Sequence, residues 1–140
     1  PSLIAFVNRF QARKALPAIA ERRQGSDKLV LHFSGQPEKV VVWRASNPLA
    51  RDFRYACGIR YEASPPPAMS GTTLSVALTP PENGWQATFV EATFSDGFVA
   101  TSQVYITPDG IYPDTAPSAQ GGACRTLPGR GLTPAAQEAN

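Results

Sequence analysis

The spacing of hydrophobic residues changes near residue 28, and this change divides the chain. Before it, apolar positions follow the i, i+3, i+4, i+7 spacing of an amphipathic helix. The positions on this face are Leu3, Phe6, Val7, Phe10 and Lys14. Within residues 3–23 we expect Pro17 to break the helix and residues 18–20 to form a short second turn. The polar stretch from Glu21 to Asp27 then predicts a linker.

From residue 28 onward, apolar residues recur at every second position, as they do in β-strands. The predicted strands cover residues 29–33, 40–43, 53–61, 72–79, 85–94 and 98–107, with the third interrupted at Gly58. Residues 64–68 contain three consecutive prolines and predict a loop. The alternation slips by one position near Phe89 and Val90, which predicts a β-bulge there.

Short strands separated by turn residues determine the predicted fold class. Roughly seven such strands favour an all-β fold, a two-sheet antiparallel sandwich of the immunoglobulin or fibronectin type behind a short amphipathic helix. The 14 prolines and 11 glycines of the chain agree with many turns and little helix. We therefore divide the 140 residues into a helix and linker (1–26), a sandwich (27–113) and an irregular tail rich in proline and glycine (114–140).

Charge and hydropathy narrow the range of partners. A net charge of +2, without a dense run of lysine and arginine, argues against nucleic acid. No apolar run approaches the roughly 20 residues that span a bilayer, so we expect no membrane span. No signal peptide pattern is visible in the chain. Since Pro1 stands in place of an initiating methionine, we expect a longer protein whose export signal lies upstream.

The chain lacks the residues that a complete catalytic site needs. Nucleophilic catalysis requires a serine or cysteine beside a base, and the one histidine, His32, falls in the middle of a predicted strand. We expect His32 to face solvent. No GxSxG motif occurs, and the scattered carboxylates form no metal-binding pattern. The sequence therefore predicts no catalytic residue, no metal site and no cofactor in this chain, and leaves open whether it is part of an enzyme.

The densest charged segment, residues 47–54, is the first candidate site. There Arg51 and Arg54 are placed to hold Asp52 or a carbonyl group through forked hydrogen bonds, which would brace a crossing between strands. The alternative is an anion site or a contact with another domain. Glu91 lies in an apolar strand and needs a partner, for which one of these arginines is a candidate.

Two tryptophans and two cysteines complete the candidates. Trp43 and Trp85 fall in apolar strands and predict core packing, with sugar stacking as the alternative that would make a glycan a partner. Cys57 and Cys124 are a candidate disulfide, which would stabilise the fold by roughly 4 kcal/mol in an oxidising compartment. The alternative is two unpaired thiols. Mass measurement before and after alkylation distinguishes the two states.

Three segments of the sandwich together resemble the PhoPQ-activated pathogenicity-related protein family. They are VWRASNPLARDFR (42–54), GWQATFVEATF (84–94), and VYITPD (104–109) with Tyr112-Pro113. The resemblance spans about residues 1–113.

The resemblance implies a larger exported bacterial protein, periplasmic or secreted, with an α/β-hydrolase-like domain upstream and this β-rich region as its C-terminal accessory domain. Residues 2–6 then look like part of the last helix of the upstream domain. That domain's histidine and nucleophile would precede Pro1, so no catalytic residue carries over. An independent module that binds carbohydrate or a surface protein is the alternative function.

Overall fold

A computed structural model describes residues 2–55 and 58–110 of the chain. It contains one helix, α1, and eight short strands, β1 to β8, in the described part. Their bounds are α1 Ser2–Gln11, β1 Ile19–Gln24, β2 Lys28–Phe33, β3 Lys39–Asn47, β4 Glu62–Ser64, β5 Thr73–Ala77, β6 Trp85–Thr93, β7 Val99–Thr101 and β8 Tyr105–Thr107. Two antiparallel sheets behind a short helix confirm the predicted fold class.

The strand order is that of an immunoglobulin-like sandwich. The first sheet has the order β1-β2-β5, and the second has the order β4-β3-β6-β7, with β8 also paired to β6. The chain therefore changes sheet between β2 and β3, between β4 and β5, and between β5 and β6. Because β3 and β6 pair over all nine residues of each strand, from Lys39 opposite Thr93 to Asn47 opposite Trp85, they form the centre of the second sheet.

The core lies between the two sheets and is built from alternating positions, as the period of two predicts. The first sheet contributes Leu29, Leu31, Phe33, Leu74, Val76 and Leu78, and the second contributes Val42, Val90, Ala92 and Phe94. Leu29, Leu31 and Leu74 are fully buried. Each fully buried leucine stabilises the fold by about 1.5–3 kcal/mol, so this layer supplies the main favourable free energy of folding.

The predicted linker is wrong at its beginning, because Ile19–Gln24 forms β1 and pairs with β2. Its half-buried positions are Ile19, Glu21 and Arg23, and two of these three are charged, which hides the apolar alternation of a strand. Both charged groups have distant partners: Glu21 accepts a hydrogen bond from the hydroxyl of Tyr105, and Arg23 forms an ion pair with Asp109. The sequence did contain one usable signal, since Gly25 turns the chain with φ of 66° between two six-residue runs.

The predicted third strand over residues 53–61 is also wrong. β4 covers only Glu62–Ser64, whereas β3 extends four residues beyond the predicted end at Trp43. The reason is the buried side chain of Asn47, whose Oδ1 accepts hydrogen bonds from the backbone N–H of Leu49 and of Ala50. These bonds hold the chain in a tight Asx turn, so the residues that follow do not run on as a strand.

The predicted β-bulge lies on the facing strand and not on β6. The register between β3 and β6 is continuous through Phe89 and Val90, so β6 is regular. On the other edge of β6, Glu91 pairs with Thr101, and Thr88 pairs with Tyr105. The chain therefore advances by three residues along β6 and by four residues from β7 to β8. The extra residue lies between β7 and β8. Ser102 holds this interruption, because its backbone N–H donates to the carbonyl of Val90 and its Oγ accepts from the N–H of Val90.

The apparent slip in β6 has a different cause, because both faces of its first half are covered. Trp85 and Ala87 are buried on one face, and Thr88 and Val90 are buried on the other. A strand that is buried on both faces does not alternate between apolar and polar residues.

The helix is shorter than predicted. It ends at Gln11, six residues before Pro17, because Arg13 adopts a left-handed conformation with φ of 53°. The N–H of Lys14 then donates to the carbonyl of Arg9 at 2.9 Å and closes the helix end.

Two predictions fall outside the described residues. These are the disulfide between Cys57 and Cys124 and the irregular tail (114–140). Within residues 2–55 and 58–110, no helix is long and apolar enough to cross a membrane. His32 is exposed, as predicted, and its Nδ1 lies 2.8 Å from Oγ1 of Thr73 on the paired strand.

We predict that Gly84→Ala destabilises the sandwich by about 3 kcal/mol. A Cβ at Gly84 would lie 2.2 Å from the carbonyl oxygen of Asn47 and 2.4 Å from Cα of Pro48, and the φ of this residue is +73°. Urea unfolding measures the effect.

Gly97→Ala is the matched control for this prediction. Gly97 also has a positive φ, of +81°, but nothing lies within 4 Å of its Cβ position. We expect a cost of about 1 kcal/mol from backbone strain alone. Equal costs at the two positions would contradict the steric explanation.

Candidate functional site

Helix α1 contacts the sandwich through one narrow stripe of its surface. Ser2, Ala5 and Arg9 recur at i, i+3 and i+7 and therefore lie on one side of the helix. Ser2 Oγ accepts a hydrogen bond of 3.1 Å from the N–H of Val99. Ala5 is the buried residue of the helix. The contact is small and mostly polar, so α1 is held in place without burying its large apolar side chains.

Arg9 is the main anchor of α1. Its guanidinium forms an ion pair with Asp96 in the turn between β6 and β7, donates to the carbonyl of Ala15 at 2.9 Å, and lies 5.9 Å from the ring centre of Phe98. The hydrogen bond from Arg9 holds the pKa of the Asp96 carboxyl below its usual value. The ion pair therefore contributes above the unfolded pKa of the carboxyl and is lost as the pH falls through the lowered value.

The apolar face of α1 points away from the sandwich and is exposed. We name this face the helix patch and define it as Leu3, Phe6, Val7 and Phe10. Leu3 and Phe10 are each 74% exposed, and Phe6 and Phe10 stack with ring centres 6.4 Å apart. These residues are the predicted stripe without Lys14, which lies beyond the end of the helix at Gln11. An exposed stripe of large apolar side chains is typical of an interaction surface.

The charged segment 47–54 divides into two contacts. Arg54 forms the predicted fork with Asp52, in which Nε donates at 2.9 Å and Nη2 at 2.5 Å. This contact lowers the pKa of Asp52. The side chain of Asn47 donates to the carbonyl of Asp52 at 2.7 Å. The Arg54–Asp52 contact is therefore a local brace of the turn, and its role as an anion or domain contact stays a prediction.

Arg51 lies at a different contact, beside Asp109. Nη2 of Arg51 is 3.8 Å from one oxygen of Asp109, and Nη1 of Arg23 is 2.5 Å from the other. Asp109 thus joins the edge strand β1 to the turn that follows β3. Sequence reasoning missed Arg23 and Asp109, because no local pattern brings residues 86 positions apart together.

Glu21 connects the two sheets at their edge. Its carboxylate accepts a hydrogen bond of 2.8 Å from the hydroxyl of Tyr105 and bonds of 3.1 Å from the N–H of Gln103. Burial, followed by the contact with Glu21, raises the pKa of Tyr105 to about 12. We name this contact the edge clasp. It explains why a residue of the predicted linker is an integral part of the sandwich.

The tryptophans and Glu91 lie on the outer face of the second sheet. Trp85 is buried, whereas Trp43 is half-buried and its ring stacks beside that of Phe89, with ring centres 6.3 Å apart. The core packing of the two tryptophans stays a prediction. Within residues 2–55 and 58–110, no hydrogen bond or ion pair reaches the carboxylate of Glu91, so the predicted arginine partner is wrong. Sugar stacking on Trp43 stays the alternative interpretation. In the same part of the chain, no group of three or more metal-ligating side chains comes together.

The sequence was compared with models of known protein families. Residues 1–54 match the model described as PhoPQ-activated pathogenicity-related protein. The resemblance is confirmed over residues 1–54. The match covers α1, β1, β2, β3 and the turn to Arg54, and thus includes the first of the three resembling segments. The segments 84–94 and 104–109 lie beyond it.

No curated protein and no solved structure matches the chain. The PhoPQ-related match continues without interruption from α1 into the first three strands of the sandwich. The helix and these strands therefore occur together within that family's sequence pattern.

We predict that the edge clasp stabilises the fold below pH 10 and fails between about pH 10 and 12. The folded pKa of Tyr105 is raised to about 12 from an ordinary value of 10.0. A raised pKa of this kind gives stability that is fully present below the unfolded pKa and is lost as the pH rises through the folded value. Urea unfolding of the original chain and of Tyr105→Phe across this range measures the effect.

Tyr55→Phe is the control for the alkaline prediction, because Tyr55 is 75% exposed. The original chain and Tyr55→Phe should lose stability in parallel between pH 10 and 12, and Tyr105→Phe should lose less. Identical slopes for all three proteins would show that Tyr105 does not carry the alkaline transition.

Proposed function

We propose that the chain is the non-catalytic, C-terminal accessory sandwich of an exported bacterial protein of the PhoPQ-activated pathogenicity-related family. In this proposal an α/β-hydrolase-like domain precedes it, and the sandwich packs against that domain. The match over residues 1–54 and the resemblance of the sandwich segments support the family assignment. Export follows from the family resemblance.

The observation that carries the proposal is the orientation of α1. Its polar anchors Ser2 and Arg9 hold it to the sandwich, whereas Leu3 and Phe10 of the helix patch face solvent. A helix that packed only on the sandwich would bury its apolar stripe there. The reverse orientation suits an element that lies between two domains and gives its apolar side to the other one.

In this arrangement the sandwich acts through position and not through chemistry. The ion pair from Arg9 to Asp96 and the buried Ala5 fix the helix against the turn between β6 and β7. The helix patch then fixes the orientation of the sandwich relative to the upstream domain. The sandwich can in this way stabilise that domain or limit access to its active site.

We predict that the helix patch is buried in the longer protein that contains the upstream domain. Covering Leu3 and Phe10 would stabilise α1 by about 1.5–3 kcal/mol for each side chain, so exchange of the amide hydrogens of residues 2–11 should slow by more than tenfold. Hydrogen exchange followed by mass spectrometry, on the 140-residue chain and on the longer protein, measures the difference.

A double substitution tests whether the patch itself gives this protection. Leu3→Gln with Phe10→Gln should remove most of the added protection in the longer protein and leave the sandwich amides unchanged. Asn8→Ala, at an exposed polar position of the same helix, is the matched control and should have no effect. Equal exchange of α1 in the short chain and the longer protein would refute the proposal.

A further inference from the structure

The outer face of the second sheet carries a group of aromatic rings that the proposed function does not use. Val42 and Val90 point into the core, so Trp43 and Phe89, which neighbour them along the strands, point to the opposite side. We name this group the aromatic face and define it as Trp43, Phe89 and Tyr61. The rings of Trp43 and Phe89 are inclined by 19°, and Tyr61 meets Phe89 edge to face at 5.3 Å.

Two small residues allow this arrangement. Ala45 lies opposite Ala87 in the register, and both alanines are buried on the same side as the aromatic face. Tyr61 directly precedes β4, and its ring contacts that of Phe89. The rings therefore pack on one another and on the sheet, and each remains half-buried. Mutual packing fixes their orientation before any ligand binds.

Glu91 places a carboxylate beside these rings. It lies two residues from Phe89 on the same face, opposite Val41 on one side and Thr101 on the other. It is half-buried and, within the described residues, has no hydrogen-bond or ion-pair partner. Partial burial of an unpaired carboxylate costs free energy, which a cation placed beside it would offset.

We propose that the aromatic face and Glu91 bind the guanidinium group of an arginine presented by a protein partner. A guanidinium is flat and stacks on aromatic rings, and it can donate two hydrogen bonds to one carboxylate. Each part of the site then has a role. Trp43 and Phe89 supply the π surface, and Glu91 supplies the opposite charge.

Two observations favour a cation over a sugar. The indole Nε1 of Trp43 is buried and has no partner within the described residues, so the ring exposes carbon atoms and no hydrogen-bond donor for a sugar hydroxyl. A neutral sugar would also leave the charge of Glu91 uncompensated. A guanidinium needs no donor from the ring, and its contact with Glu91 compensates the charge.

A binding role and a structural role for Glu91 lead to different expected effects of the same substitution. If Glu91 is retained for binding, Glu91→Gln should weaken binding and leave the thermal unfolding midpoint of the free chain unchanged or higher, since an unpaired, partly buried charge is removed. If Glu91 instead supports the sheet, the same substitution should lower the midpoint.

The test uses the 140-residue chain and two pentapeptide probes, Gly-Gly-Arg-Gly-Gly and the same peptide with citrulline in place of arginine. Citrulline keeps the shape of the side chain and removes the charge. Titrations are followed through the indole N–H resonance of Trp43 in proton–nitrogen correlation spectra. We expect saturable shifts with a millimolar dissociation constant for the arginine peptide and about tenfold weaker binding of the citrulline peptide.

Variants complete the test. Glu91→Gln and Phe89→Leu should each weaken binding of the arginine peptide by about tenfold. Glu62→Gln, at an exposed glutamate of β4, is the matched control and should bind as the original chain does.

Three outcomes would each overturn the proposal. They are equal binding of the two peptides, the absence of a saturable shift, and an unfolded spectrum for Glu91→Gln. A saturable shift of the Trp43 resonance on titration with a neutral oligosaccharide, with the same dissociation constant in Glu91→Gln, would identify a glycan site in its place.

Discussion

The pairing of β3 with β6 is the constraint on which both faces of the second sheet depend. Nine consecutive residue pairs fix the register, so Trp43 and Phe89 share the outer face of the sheet, and Val42 and Val90 share the inner face. A shift of one residue would bring Trp43 opposite Val90 or Thr88, and Trp43 and Phe89 would then lie on opposite faces of the sheet. Gly84 protects this register, because only a residue without a side chain lets the start of β6 approach the end of β3 so closely.

Charged residues connect elements of this structure that are distant in the sequence. Arg9 attaches the helix, Glu21 joins the two sheets, and Asp109 gathers arginines from β1 and from the turn after β3. Ion pairs of this kind at a surface add little stability one by one. Their effect here is to fix orientation, and Arg51 is the charged site candidate from the sequence that takes part in one of them.

Two surfaces remain after these contacts are assigned. The helix patch is apolar and lies on an element that Ser2, Ala5 and Arg9 hold to the sandwich. The aromatic face lies at the centre of the second sheet, beside Glu91, whose carboxylate has no partner in the described part of the chain. The first suits a permanent contact between domains, because it is large and uncharged. The second suits a specific contact with one side chain, because its rings are packed in a fixed orientation and Glu91 supplies one negative charge.

The sequence by itself determined the elements whose residues interact mainly with a uniform core. β2, β5 and the inner face of β6 follow the period of two, and the stripe of α1 follows the helical spacing, since burial selects apolar residues at regular intervals. Tertiary structure alone decided where long-range polar contacts replace that pattern. β1 was missed because Glu21 and Arg23 are satisfied by residues more than 80 positions away, and the bulge was misplaced because Ser102 acts across the sheet on Val90. The direction of the helix stripe and the isolation of Glu91 likewise depend on neighbours that no local pattern specifies.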